Sequence, residues 1–290
     1  MTTVSLPSIP LKQTAPEPMF HTVRRIAGRI VSDARFYQIL FLSVFLMYGI
    51  AVLGWDVDAW KFALTVGTCF ITQLVFTAAT SKDYYSLLSA SISSLSLCLM
   101  LKTGVAGVVA LAAFLSIAEK FVFRVGGKHF FNPTNFGICL TILLTGQAWI
   151  SPGQWGNNGF LLLLIGSLGL FVLIKVKRFD TAAAFLISYV GLLSIRHIFY
   201  QGWPPDFLLH QLQSGTLLLF TFFMITDPVS TPSHPWARIG WAAAVGALAF
   251  VLQSYYFVNG SPLWALFMLS PFTLLLDRLF KHSNFKWTQK

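Results

Sequence analysis

The chain has 290 residues, of which 56% are apolar and only 10% are charged. Soluble domains carry about 25% charged residues, and disordered chains are poor in apolar residues, so both classes are excluded. A helix that spans a bilayer needs roughly 20 mostly apolar residues, so the chain is long enough for about ten spans. The composition therefore predicts an all-α, polytopic integral membrane protein without a large soluble domain.

The formal net charge is +10, from 20 Lys and Arg against 10 Asp and Glu. Such an excess occurs in nucleic-acid-binding proteins and in membrane proteins, whose cytoplasmic loops collect Lys and Arg. In so apolar a chain, the charge indicates a lipid bilayer as the partner and no nucleic acid.

The three cysteines, Cys69, Cys98 and Cys139, each lie in an apolar run, and none is part of a CxxC motif. This spacing argues against a disulfide framework, a zinc site or a self-contained iron–sulfur cluster. We expect three buried thiols and no metal site within the chain, while a cluster shared with a partner subunit stays open.

Residues 1–35 are expected to form a cytoplasmic tail. Four prolines lie among polar residues in 1–19, and no apolar core of a cleaved signal peptide follows. In residues 20–35, apolar positions recur at helical spacing and four arginines take other positions. This pattern predicts a basic amphipathic segment on the inner leaflet, with a solvated helical linker as the alternative.

Ten apolar segments follow within residues 36–280, the predicted transmembrane domain, and 281–290 form a basic cytoplasmic tail. With the N-terminus in the cytoplasm, 17 of the 20 Lys and Arg lie on the cytoplasmic side, and the outside receives only Lys61, Lys102 and Arg196. This distribution favours ten spans in a bacterial inner membrane with both termini inside. The segments are 36–54, 61–80, 84–101, 104–123, 135–150, 159–175, 181–199, 209–225, 238–257 and 262–279.

Ten spans are compatible with two sets of five, of which the second would insert upside down. A weak repeat supports this 5+5 inverted arrangement: Asn132-Pro133 precedes the fifth segment and Asn259-Gly-Ser-Pro262 precedes the tenth.

The stretch Gly126-Gly-Lys-His-Phe-Phe-Asn-Pro-Thr-Asn-Phe-Gly137 breaks the apolar pattern. Pro133 removes a backbone donor and restricts Asn132 to extended conformations. Asn132, Thr134 and Asn135 offer amide and hydroxyl groups. These residues predict either a partly re-entrant loop that faces a cavity or a cytoplasmic turn that caps the fifth helix.

The eighth segment begins and ends with polar residues. His210 and Ser214 stand at its start, and Thr226 and Asp227 stand at its end, directly before Pro228. Asp before Pro is typical of a helix stop and turn, although an Asp at the membrane edge also suits a cation. His210 is a candidate proton relay or an interfacial anchor.

Two further places carry polar groups near membrane depth. Glu119, followed by Lys120 near the end of the fourth segment, is either a boundary charge or part of an ion path. The uncharged outer loop of residues 145–159 forms either an aromatic belt with tight turns or a binding loop for a planar group such as a flavin or quinone. Its candidate cofactor-binding residues are Gly153, Trp155, Gly156 and Asn157.

The blocks Phe130-Phe-Asn-Pro-Thr-Asn-Phe-Gly137 and Phe222-Phe-Met-Ile-Thr-Asp-Pro-Val-Ser-Thr-Pro232 resemble the RnfD/NqrB family. His210, Ser214-Gly215 and the Leu-Leu-Ile-Gly run that ends at Gly166 fit the same pattern, and the resemblance extends over residues 36–280. It implies a ten-helix membrane subunit of Rnf or Na⁺-pumping NADH:quinone oxidoreductase complexes, which couple electron transfer to Na⁺ or H⁺ movement. Its fold would be similar to that of urea channels.

The resemblance also implies FMN bonded through its phosphate to a threonine of a Gly-Ala-Thr segment. Residues 145–159 contain no such segment, and the following glycine loop resembles the family's only as Gly153-Gln-Trp-Gly156-Asn157, without its glutamate. We therefore expect no covalent FMN and leave open a noncovalent flavin, FMN or riboflavin. The altered loop is similar to that of a divergent branch, the UnbU-type membrane proteins of enediyne clusters.

The expected function is thus a membrane subunit, or a stand-alone relative, linked to electron transfer and transmembrane ion transport. Other electron-transport subunits and Na⁺ or H⁺ are the expected partners. The polar path is expected to include Glu119, Asn132, Thr134, Asn135, His210, Ser214, Thr226 and Asp227. Two alternatives remain: a redox-inactive channel or transporter, and a membrane scaffold for an enediyne-like biosynthetic assembly. No catalytic residue is predicted.

Overall fold

A computed structural model describes residues 33–55, 58–80, 87–152, 159–283 and 285, and the side chains of 159–165 are not described. The amphipathic segment 20–35 and the N-terminal tail therefore lie almost wholly outside the described residues. So do Gly153, Trp155, Gly156, Asn157 and most of the C-terminal tail.

Helices make up most of the described part. In the first half, the helices are α1 (Ala34–Ala51), α2 (Ala59–Thr80), α3 (Leu87–Met100), α4 (Ala106–Val122) and α5 (Pro133–Thr145). In the second half, they are α6 (Gly159–Val176), α7 (Phe179–Ser194), α8 (Pro205–Leu212), α9 (Gly215–Leu219), α10 (Pro235–Ser254), α11 (Ser261–Leu269) and α12 (Phe272–Leu279). Single π-helical turns, Ile195–Tyr200 and Phe220–Met224, extend α7 and α9.

Two short antiparallel strand pairs join the helices at opposite ends. Strand β1 (Leu101–Thr103) pairs with β4 (Ala148–Ile150), in the register Lys102 opposite Trp149. Strands β2 (Arg124–Val125) and β3 (Lys128–His129) form a hairpin. Its turn residues Gly126 and Gly127 both have positive φ, as a two-residue hairpin loop of this kind requires.

Each of the ten predicted segments contains a helix, but three segments differ from a simple span. The fifth is predicted to run to residue 150, and that boundary is wrong: Gly146 ends α5 in the left-handed conformation, and Ala148–Ile150 form β4. The eighth segment breaks at Gln213–Ser214, between α8 and α9. The tenth is a pair of helices bent by 50°.

Four helices among the described residues are long and apolar enough to cross a membrane alone: α1, α2, α7 with its π-helical turn, and α10. The bent pair α11–α12 is a fifth candidate, and shorter apolar helices include α3 and α5. The protein is an all-α polytopic membrane protein. Ten complete crossings and the 5+5 repeat stay predictions.

Close packing of small residues joins the main helix pairs in both halves. A Cβ on Gly137 of α5 would overlap Ser116 of α4 and lie 2.7 Å from the Ala112 carbonyl oxygen. A Cβ on Gly246 of α10 would lie 2.8 Å from the Phe185 carbonyl oxygen of α7. Such close approach is how membrane helices associate, because lipid provides little hydrophobic driving force.

Candidate functional site

The Asn132-Pro133 motif and the Thr226-Asp227-Pro228 motif lie close together at one end of the bundle. Asn132 and Met224, the residues in contact there, are 92 positions apart in the sequence. Asn132 caps α5, since its Oδ1 accepts a hydrogen bond from the Asn135 backbone N–H at 3.1 Å, and Pro133 occupies the first turn. The Asn132 amide Nδ2 donates to the Met224 carbonyl at 3.4 Å. The α5 cap is therefore also the link to the end of the eighth segment.

A small cavity of about 80 Å³ lies at this junction, and we call it the inner cavity after the predicted orientation. Four predicted residues line it: Asn132, Thr134, Thr226 and Asp227. Sequence reasoning did not place the five other polar lining residues at this site: Arg35, Gln38, Ser89, Ser93 and His129. The serines lie within an apolar helix and His129 in a hairpin, so only spatial proximity identifies them.

Asp227 fits both interpretations of its position, as a residue that forms a turn and as a charged group at a polar site. Its Oδ1 accepts from the Val229 N–H at 3.1 Å, which forms the predicted turn, and its Oδ2 lies 3.9 Å from His129 Nε2. Burial tends to raise the Asp227 pKa, but the neighbouring His129 and the Val229 N–H outweigh burial and hold that pKa below its usual value. Asp227 is thus an anionic group at the cavity wall.

Glu119 lies deeper, near the end of α4. It is only 1% exposed, and neither carboxylate oxygen meets hydrogen-bond geometry with a described residue, although the Phe131 backbone N–H and Lys120 act on it electrostatically. Its neighbour Lys120 donates to Ser89 Oγ at 3.0 Å, and Ser89 lines the inner cavity. A buried, unpartnered carboxylate is costly, which makes it a functional candidate more than a structural one.

Asn135 is fully buried on α5 and lies outside the inner-cavity lining. Its Oδ1 accepts from Cys139 Sγ at 3.7 Å, whereas its Nδ2 has no partner within the described part of the chain. Asn135 Nδ2, Ser116 Oγ and Thr141 Oγ1 are therefore further buried polar atoms without a partner in the described α4–α5 region that holds Glu119.

Ion pairs that the sequence did not predict support this end of the bundle. Lys128 Nζ lies 2.7 Å from Asp277 Oδ2 and also donates to the Thr231 carbonyl. Arg238 pairs with Asp180. Burial lowers the pKa of Lys128, while Asp277 acts in the opposite direction. These contacts hold the hairpin, the Thr-Asp-Pro turn and the last helix together.

A cavity of about 870 Å³, the outer cavity, lies at the opposite end. His210 and Ser214 line it, as do Ser151 and Pro152, which directly precede the predicted ligand loop. Ser214 Oγ donates to the Pro152 carbonyl at 2.9 Å. Two polar atoms at this cavity, Gln211 Oε1 and Ser254 Oγ, are buried without a partner in the described structure.

The outer cavity fits a planar polar cofactor in size and in chemistry. Pockets for such ligands measure about 300–1,000 Å³ and combine aromatic walls with a few polar groups. Here Trp203 stacks on His197 with ring centroids 5.0 Å apart, and Arg196 lies at the same cavity. The arginine suits a phosphate, and the two unpartnered atoms suit the polar edge of a ring.

Two short helices that begin near a proline point their N-termini at the two cavities from opposite ends. Asn132, Pro133 and Thr134 at the start of α5 line the inner cavity. Gly260, Ser261 and Pro262 at the start of α11 line the outer cavity. The helices contact each other, with Cys139 Sγ 3.7 Å from the Leu263 carbonyl oxygen.

The two cavities approach each other along the eighth segment. Leu217 lines the outer cavity and Phe222 the inner one, a separation of roughly 7 Å along a helix. Between them, Leu219, Phe220 and Thr221 are buried. The π-helical turn begins at Phe220, and such turns often occur at functional sites. Only about one helical turn separates the cavities on this element.

Comparison with known proteins identifies the relatives of this chain. The family model described as the NQR2, RnfD, RnfE family matches residues 140–286. The matched range includes His210, Ser214, Thr226 and Asp227 and begins after Asn135.

Three curated relatives are each named as a subunit of an ion-translocating oxidoreductase complex. That of Stutzerimonas stutzeri is 30% identical over 129 residues, 44% of this chain and 36% of the relative. That of Yersinia pestis is 31% identical over 113 residues, 39% of this chain and 30% of the relative. That of Halorhodospira halophila is 27% identical over 127 residues, 44% of this chain and 35% of the relative.

The aligned region thus covers about a third of the length of these relatives. The family match covers half of this chain and includes the Thr-Asp-Pro turn, the last helices and most of the outer-cavity wall. The chain belongs to the NQR2, RnfD, RnfE family of membrane proteins.

Proposed function

We propose that this protein is a membrane subunit of an ion-translocating oxidoreductase complex in a bacterial inner membrane. Support comes from the family and from relatives that are named as subunits of such a complex. The polytopic helical fold and the basic residues at one end of the bundle agree with this role.

The main observation in favour of a cation path is the environment of Glu119. Its side chain is 1% exposed, and its carboxylate oxygens have no hydrogen-bond partner in the described structure. A carboxylate in that setting gains a favourable partner when it takes up Na⁺ or H⁺. Lys120 and Ser89 connect its surroundings to the inner cavity, where Asp227 offers a second carboxylate. We assign Glu119 to cation binding and Asp227, Asn132, Thr134 and Thr226 to the inner approach.

The arrangement favours controlled passage over an open channel. In the described residues the polar cavities end on either side of a buried stretch that includes Phe220. A passive channel needs a continuous polar path, whereas a coupled pump needs a barrier that moves with the driving reaction. His210 and Ser214 serve the outer approach in this proposal.

Affinity purification from native membranes through a C-terminal tag tests the subunit role. We expect co-purification with redox-cofactor-bearing subunits, and deletion of the gene should abolish electron-donor-driven cation uptake by inverted membrane vesicles. Purification without any redox partner, combined with unchanged uptake after deletion, would refute the subunit role. Partners made only of biosynthetic enzymes would favour the scaffold instead.

The outer cavity supports a second element of the proposal, a noncovalently bound flavin. When bound, a flavin supplies electron transfer, while the chain positions it and excludes water. Arg196 would pair with a phosphate, and Gln211 and Ser254 would bond to the ring edge. Gly153, Trp155, Gly156 and Asn157 stay predicted flavin contacts from the sequence and lie outside the described residues.

Flavin fluorescence distinguishes the binding modes. We expect the purified protein, with flavin added back if needed, to show a flavin spectrum and to release all fluorescence on denaturation. Gln211→Leu should weaken binding, whereas Thr134→Val at the inner cavity should not. Fluorescence that stays with the protein band on a denaturing gel would show that the flavin is attached covalently. If the protein binds no flavin after add-back, the flavin proposal is wrong.

A further inference from the structure

A third cavity, of about 450 Å³, lies at the predicted outer end, where α2, α3, β1 and β4 meet. Ser151 and Pro152 line both this cavity and the outer cavity, so the β1–β4 pair stands between the two. Neither the proposed cation path nor the proposed flavin site uses this third cavity.

Its charge is unusual for its position. Only three basic residues are predicted outside, and two of them, Lys61 and Lys102, line this one cavity. Lys61 pairs with Asp58 at 2.5 Å, and Asp58 also lines the cavity. The Lys102 backbone pairs with Trp149, whereas its side-chain ammonium forms no hydrogen bond or ion pair with any residue that the structure describes. The three groups together carry a net charge of +1, which one monoanion would neutralise.

The aromatic residues place the cavity at a membrane interface. Trp55 and Trp149 line it, and Trp60 lies beside Lys61, whose Nζ is 5.4 Å from the Trp60 ring. Trp149 is 56% exposed and Trp60 is 48% exposed. Partly exposed tryptophans at a helix end are typical of the headgroup level of a bilayer.

An apolar surface continues from the cavity along α2. Leu64, Ile71 and Val75 follow Lys61 at intervals of 3, 10 and 14 residues, which places them on one face of the helix. Ile71 is 64% exposed and Val75 is 61% exposed. A ligand whose anionic group sits between the lysines therefore has room for a hydrocarbon chain beside it.

We propose that this cavity binds the phosphate of an anionic phospholipid of the outer leaflet, with Lys102 as the principal contact and Lys61 as the second. The lipid's acyl chain lies along the Leu64–Val75 face of α2. The shared chemistry is that of a phosphate monoanion, and the apolar face favours a lipid headgroup over free phosphate. A bound anion here would also fix the β1–β4 pair, which forms part of the wall of the outer cavity.

Lipid retention tests the proposal in the intact protein. We would purify wild type, Lys102→Gln and the exposed-lysine control Lys175→Gln from native membranes in mild detergent, and quantify bound phosphatidylglycerol by mass spectrometry. One lysine near a lipid headgroup corresponds to about a fivefold change in affinity. We expect about fivefold less phosphatidylglycerol on Lys102→Gln and wild-type amounts on Lys175→Gln and on the charge-preserving Lys102→Arg.

Stability measurements separate the two sources of phosphate. Nanodiscs that contain phosphatidylglycerol should raise the unfolding temperature of wild type above that in pure phosphatidylcholine, and Lys102→Gln should lose this shift. Equal lipid retention by Lys102→Gln and wild type would overturn the proposal. An equal shift from millimolar inorganic phosphate in phosphatidylcholine would also overturn it, because the site would then be one for free anions.

Discussion

The Asn132 side chain reaches the Met224 carbonyl at 3.4 Å while it also caps α5 through the Asn135 N–H. One amide therefore fixes both the start of a short helix and the end of the eighth segment. Because those two elements supply Thr134, Thr226 and Asp227, this link sets the shape of the inner cavity.

Two substitutions of Asn132 separate its roles. Asn132→Ala should lower the free energy of unfolding by about 1–2 kcal/mol, since it removes the cap and the Met224 contact. Asn132→Ser keeps a capping oxygen but is too short to reach Met224, so its loss should be about half as large. Thermal unfolding in detergent measures both, and equal stability of Asn132→Ala and wild type would show that neither contact matters.

Gly137 should tolerate no side chain. Gly137→Ala places a methyl group against Ser116 and 2.7 Å from the Ala112 carbonyl, and we expect a loss of about 1–3 kcal/mol. Gly67→Ala in α2 is the matched control, because its Cβ meets nothing within 4 Å and alanine favours a helix by roughly 0.8 kcal/mol. A Gly137→Ala protein as stable as Gly67→Ala would contradict the packing of α4 on α5.

Removal of one member of the Lys128–Asp277 ion pair should lower the stability of the protein more than removal of both members. Lys128 is 7% exposed and Asp277 is 20% exposed, so removal of one partner leaves a largely buried charge. We expect Lys128→Met to cost about 2–3 kcal/mol, less than for a fully buried pair, and the double variant Lys128→Met/Asp277→Leu to recover most of the loss. Equal losses in the single and double variants would show that the ion pair has no such role.

The stability of the protein should depend on pH through Asp227. Its folded-state pKa lies below the unfolded value of about 3.9, so its ionised form stabilises the protein above that pH. Asp227→Asn should therefore be less stable than wild type at neutral pH. The gap should close as the pH falls below about 4 and through the lowered pKa. Unfolding curves at a series of pH values measure the gap, and a gap that persists unchanged to about pH 2 would contradict the assignment.

Local sequence chemistry predicts the helical architecture and the elements that carry the inner cavity. Asn132-Pro133 and Asp227-Pro228 are recognisable because a cap and a turn need those residue types next to proline. The predicted end of α5 is wrong because Ala148–Ile150 are apolar enough for a helix, yet they pair with residues 101–103, which lie far away in sequence.

Long-range contacts account for what the sequence could not predict. Lys128 and Asp277 are 149 residues apart, and no local pattern announces their pairing. His129 and Ser89 reach the inner cavity only through helix packing. Glu119 is identified from its residue type, but its lack of a partner among the described residues depends on how α4 packs in the folded bundle.

Cation uptake by Glu119→Gln is the most direct test of the central claim. Inverted membrane vesicles that contain the intact complex would be energised with an electron donor, and ²²Na⁺ uptake and vesicle acidification would be followed for wild type, Glu119→Gln and Asp206→Asn, a control at an exposed carboxylate. A lost charged contact worth about 1.5–3 kcal/mol predicts at least about tenfold slower uptake for Glu119→Gln. The variant should be no less stable than wild type, because it replaces a buried carboxyl group whose oxygens have no hydrogen-bond partner in the described structure. Uptake by Glu119→Gln at the wild-type rate, in a folded and assembled complex, would contradict the account.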